Sequence, residues 1–156
     1  MLNDEIKKLL QPRPPDTILI ITAGNVLRAD DGVGPYIARH LPLQRDGILV
    51  LDAGERPENV IDRAVGAKPV RTVIIDAAEF GGAAGEARVV PPELIEDGIV
   101  STHTFPLSGV AKIIHYDTGS EVAFVGIQTG SKDFAEGLSA PVEQTAREII
   151  ALLSPR

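Results

Sequence analysis

Three carboxylates stand where apolar runs of this chain end. Asp31 follows Thr17–Thr22, Asp52 closes Ile48–Asp52, and Asp76 closes Arg71–Asp76. An open parallel sheet binds ligands beyond the carboxyl ends of its strands, so an acid there can hold a metal ion, position a water or take a proton. An acid at a strand end can also cap the next helix or accept loop amides. Asp52 reads that way, and so does Asp30, which either supports Asp31 or caps the following helix. Asp31 and Asp76 lie beside glycine-rich loops, Gly32-Val-Gly34 and Gly81-Gly82, and are the acids that read as a site. Of the three histidines, His40 sits near a helix end before Pro42 and reads as a solvated terminal residue, and His115 falls near the end of another helix, where positive charge suits the dipole. His103 lies in Ser101-Thr-His-Thr-Phe-Pro106, among hydroxyls able to set its tautomer. Together Asp31, Asp76 and His103 offer two oxygen ligands and one nitrogen ligand. That set suits a borderline divalent ion such as nickel or zinc and leaves positions open. Their spacing is too wide for a linear metal motif, so only the fold can bring them together.

Other chemistries find less. Gly32-Val-Gly34 lacks the third glycine of a dinucleotide fingerprint, and neither a P-loop nor a Gly-x-Ser-x-Gly elbow is present. The chain has no cysteine, which removes disulfides, thiolate metal sites and a cysteine nucleophile. A net charge of -7 argues against nucleic acid or an anionic membrane as partner. No apolar run approaches the roughly 20 residues of a membrane helix. The N-terminus has no uninterrupted apolar region of the kind a signal peptide needs, so the expected location is cytoplasmic.

The elements that must carry these residues follow from periodicity. At 156 residues the length fits one α/β domain, residues 1–156. Leu2, Ile6, Leu9 and Leu10 predict an N-terminal helix within residues 1–11, capped by Asn3 or Asp4 and ended by the Pro-rich linker 12–15. Strands are predicted at 17–22, 48–52, 71–76, 86–90 and 121–127. Helical patterns follow the acidic loop to about Leu41, span Val60–Val65 with Gly66 as C-cap, and recur from Leu107 and over Pro141–Leu153. A brief helical turn is expected at 93–96. Strands alternating with helices imply right-handed crossovers and a mostly parallel sheet covered on both faces. Aromatic residues make up only 4%, so the core must be aliphatic.

The segment Gly24-Asn-Val-Leu-Arg-Ala-Asp30-Asp31-Gly32-Val-Gly34 resembles the opening signature of the hydrogenase maturation endopeptidases. The likeness continues at Gly54-Glu-Arg-Pro-Glu-Asn59, Ile75-Asp-Ala77, Thr102-His-Thr-Phe-Pro-Leu107 and Gly126-Ile-Gln128, in order over about residues 17–130. Pro57-Glu-Asn59 and Gly126-Ile-Gln128 look most like the branch serving the hydrogenase 3 type. The resemblance implies a three-layer α/β/α sandwich around a twisted, about five-stranded sheet. It also implies that Asp31, Asp76 and His103 form the metal-contacting, catalytic trio. The implied substrate is the precursor of a nickel–iron hydrogenase large subunit, trimmed of its C-terminal extension once nickel is installed. Nickel would then arrive with the substrate, and no permanent cofactor is implied.

Two other readings share these residues. A non-catalytic metal-binding or chaperone-like module would hold a maturing metalloprotein without cutting it. A conventional zinc hydrolase would carry stoichiometric zinc and need no protein partner.

Overall fold

The computed structural model describes residues 2–90, 107–131 and 133–155. The expected turn at 93–96 and the loop bearing His103 lie outside the described residues. Six strands form one sheet: β1 (Ile18–Ala23), β2 (Gln44–Arg45), β3 (Ile48–Gly54), β4 (Arg71–Ala78), β5 (Ala87–Val90) and β6 (Glu121–Gln128). Their order is β2-β3-β1-β4-β6-β5. The four central strands run parallel, while β2 and β5 pair antiparallel at the edges. The extra strand beyond the expected five is β2, and its two residues are too few to show any periodicity.

Among the described residues the helices are α1 (Asp4–Leu9), α2 (Val33–Arg39), α3 (Ile61–Gly66), α4 (Leu107–Thr118) and α5 (Ala140–Leu153), with 3-10 turns at Ala29–Gly32 and Pro57–Val60. Alternation along each strand divides the core. Ile18 and Ile20 pack with α1, α2 and α5 on one face. Leu19, Ile21 and Ala23 pack with α3 and α4 on the other. The result is three layers, with an aliphatic core as the composition requires. Asn3 caps α1, its Oδ1 accepting from the Ile6 amide at 2.9 Å. The helix is shorter than its apolar spacing suggests, because Leu10 already leaves helical geometry ahead of the prolines. Among the described residues no helix is long and apolar enough to cross a membrane.

The register is what matters for function. Ile18 pairs with both Ile48 and Arg71, and Arg71 with Glu121. The parallel strands therefore start level, and their carboxyl ends form one continuous rim.

Candidate functional site

The chain leaves β1 at Gly24 and folds back sharply. The Asn25 amide donates to the Asp31 carbonyl oxygen at 3.1 Å and to Asp31 Oδ2 at 3.2 Å. The Asn25 side chain accepts from the Leu27 amide at 2.9 Å and donates to Glu55 Oε1 at 3.0 Å, which ties this loop to the one after β3. Close approach explains two glycines. A Cβ on Gly24 would stand 2.0 Å from the Asp31 carbonyl oxygen, and one on Gly34 would stand 2.2 Å from that of Ala23. No side chain fits either gap. Ala29 opens the acidic turn at φ +47°, a left-handed conformation that costs an alanine about 1–2 kcal/mol. The surrounding hydrogen bonds, described next, hold it there.

The two adjacent acids do different work. Asp30 is fully buried, and its carboxylate accepts four hydrogen bonds: from the amides of Gly130 (2.7 Å), Ser131 (2.9 Å) and Ser139 (2.7 Å), and from Ser139 Oγ (2.8 Å). Burial is the largest single influence on this carboxyl and opposes its charge. The Ser139, Ser131 and Gly130 donors together outweigh burial and hold it below its ordinary value. Asp30 thus pins the 130–139 loop to the acidic turn. Asp31 is 8% exposed and faces back toward Asn25.

Asp76 is 1% exposed, and its Oδ1 accepts from the Ala77 amide at 2.8 Å. It lies two residues before the end of β4, the strand beside β1, so the strand runs to Ala78 and past the expected close at Asp76. The 3-10 turn carrying Asp31 packs directly against β4. The fold thus brings the elements bearing Asp31 and Asp76 together at one rim. Asp52 is exposed, and its Oδ1 accepts from Thr22 Oγ1 at 3.1 Å and the Gly54 amide at 3.0 Å, so it braces a strand end. His115 Nδ1 donates to the Ser120 carbonyl at 2.8 Å, and His40 Nδ1 lies 2.7 Å from the Tyr36 carbonyl. Both contacts are local, within five residues of each histidine. Among the described residues no group of three or more His, Cys, Asp or Glu side chains is arranged to hold a metal ion. His103 lies outside that set.

One residue of this rim has a role that spacing did not reveal. Gln128, 4% exposed, ends β6. Its Oε1 accepts from the amides of Phe80 (2.9 Å) and Gly82 (3.2 Å), and its Nε2 donates to Glu79 Oε2 (2.9 Å) and the Thr129 carbonyl (3.2 Å). Both lone pairs and both N–H groups of the amide are used. Thr129 Oγ1 holds the other Glu79 oxygen. Gln128 therefore clamps the loop that leaves Asp76. The signal available in the sequence is a glutamine closing an otherwise apolar strand, since such a group must find partners when buried.

Residues 36–155 match the model of a family described as hydrogenase maturation protease, a span that includes Asp76 and begins after Asp31. The hydrogenase 3 maturation protease of Escherichia coli (strain K12) is 31% identical over 135 residues, covering 85% of this chain and 86% of that protein. The crystal structure of a [NiFe] hydrogenase maturation protease, HycI from Thermococcus kodakarensis KOD1, superposes with a TM-score of 0.80 at 30% identity, over 96% of this chain and 99% of that one. A crystal structure of a hydrogenase 3 maturation protease gives 0.77 at 30% identity, over 90% of each chain.

Proposed function

We propose, because this chain belongs to the hydrogenase maturation protease family, that it removes the C-terminal extension of a nickel–iron hydrogenase large-subunit precursor and reads nickel in the substrate before cutting. The chain is an endopeptidase of hydrogenase maturation, which decides against the non-catalytic module. The observation that carries the nickel reading is the packing of the Asp31 turn against β4, at the strand end that bears Asp76. Two carboxyls, one from the 3-10 turn after β1 and one from β4, are an incomplete ligand set, suited to an ion that another protein already holds.

His103 is the proposed third member. Leu107, which opens α4, belongs to the buried cluster that includes Ala23, Ala53 and Ala78 at the ends of β1, β3 and β4. His103 stands four residues before Leu107 in the sequence. With no cysteine, the chain has no thiolate with which to strip a soft-ligated ion from its substrate. The role assigned to Asp31 and Asp76 is to orient, and accept a proton from, a water polarised by the substrate's nickel. The reading places this work in the cytoplasm, with no resident cofactor and no nucleic-acid or membrane partner.

Incubation with nickel-loaded and nickel-free precursor, followed by mass measurement, tests it. Loss of a C-terminal peptide from the loaded form alone is expected. Equal trimming of both forms would remove nickel from the recognition step, and stoichiometric zinc with activity on small substrates would favour the conventional hydrolase.

A further inference from the structure

The end of β6 supplies neither Asp31 nor Asp76, yet it holds the segments that carry both. Four consecutive residues, Gln128 to Ser131, share the work. The first two reach the exit from β4. Gln128 Oε1 accepts from the Phe80 and Gly82 amides at 2.9 and 3.2 Å, and Nε2 donates to Glu79 Oε2 at 2.9 Å. Thr129 Oγ1 donates to the other Glu79 oxygen, and the Thr129 amide donates to the Ala78 carbonyl at 3.2 Å. The next two reach the opposite way. The Gly130 and Ser131 amides donate to Asp30 Oδ2 at 2.7 and 2.9 Å, and the Ser131 carbonyl accepts from the Asp30 amide at 2.9 Å. Asp76 lies two residues before Ala78, and Asp31 directly follows Asp30. The need to satisfy buried polar groups accounts for several of these contacts singly. It does not account for Glu79, which is exposed and open to water, yet has both oxygens held from the end of β6. An exposed charge held in this way adds little to stability. Gly81, at φ +78°, sits inside the span that Gln128 bridges, so backbone that glycine leaves free is fixed from outside.

We infer that residues 128–131 form a strap that sets the separation of Asp31 from Asp76, and that Gln128 is a positioning residue for precursor processing. This rests on the function proposed above, in which the two acids act together on one water. A small error in the placing of reacting groups costs rate, while the precursor's other contacts stay as they are, so the strap acts on kcat and leaves KM nearly alone. The strap is also one device with two attachments. Cutting it at Gln128 or at Asp30 lets one acid-bearing segment shift against the other, and the second cut then has little left to release.

The test is steady-state processing of nickel-loaded precursor by Gln128→Met, Asp30→Asn and the double variant, at a temperature well below every Tm. Each single substitution is expected to lower kcat about tenfold with KM within about twofold. The double variant should be at most about twofold slower than the slower single, where independent contacts would multiply. Hydrogen exchange reports the clamp itself: the Phe80 and Gly82 amides should exchange faster in Gln128→Met than in the parent. Thr129→Val, a smaller change that removes one hydroxyl from the strap, should lower kcat about threefold and keeps the test open if Gln128→Met does not fold. Unchanged kcat in these variants, or a loss confined to KM, overturns the positioning role. Losses that multiply in the double variant overturn the single strap, and unprotected Phe80 and Gly82 amides in the parent overturn the clamp. Failure of the unmodified protein to process the precursor would sink the proposed function and this role with it, and is told apart because no substitution is involved.

Discussion

Asp76→Asn is expected to yield a folded protein, at least as thermally stable as the parent, that trims nickel-loaded precursor at least ~100-fold more slowly. The substitution keeps shape and volume. It also keeps an oxygen for the Ala77 amide, which donates to Oδ1 at 2.8 Å. What it removes is an acid held 1% exposed at the end of a strand buried along nearly all its length. Burying a carboxyl is costly, and an isosteric amide relieves that cost, so stability should not fall if the acid is present for chemistry. Processing rate and thermal melting, measured on the same preparation, check both halves. A variant with full activity would take Asp76 out of the mechanism. One that melts far below the parent would make it a structural acid.

Asp30→Asn should do the reverse. Its carboxylate accepts four hydrogen bonds that all require an acceptor. An amide turns an N–H₂ group toward at least one of those donors. The loss should be about 3 kcal/mol, which for a domain of this size lowers Tm by roughly 6–12 °C. Activity at a temperature where the variant stays folded should fall much less than in Asp76→Asn. The pH dependence carries a sign. The folded carboxyl titrates below its ordinary value of 3.8, so its contribution is complete above that pH. It is lost as pH drops through the lower folded value. Chemical denaturation between neutral and acid pH should show the parent losing this increment and the variant lacking it throughout. Equal pH profiles would mean that Asp30 does not bear the charge assigned to it.

The contrast between neighbours marks the limit of what the residues alone could say. Asp31 and Asp76 stood out because one follows and the other closes an apolar, β-branched run, and parallel strands in register bring the elements bearing them to one rim. The helices at 107–118 and 140–153 followed from apolar spacing for the same kind of reason. What separates Asp30 from Asp31 is a set of contacts with residues 130, 131 and 139, about a hundred positions away, and no local pattern encodes those. Gln128 was hidden likewise, since its four partners lie on two loops. The reason for the glycines at 24 and 34 is backbone contact across the loop, which depends on tertiary packing. Ala29 in a left-handed conformation runs against its own preference and could not be foreseen.

The account depends on Asp31 and Asp76 meeting a metal ion that enters with the precursor. X-ray absorption at the nickel edge of loaded precursor, recorded alone and after mixing with uncleaving Asp76→Asn or with the parent at a temperature too low for turnover, tests that directly. The parent should add oxygen ligands to the nickel shell and the variant should add fewer. An identical nickel spectrum with and without the parent protein would contradict the account.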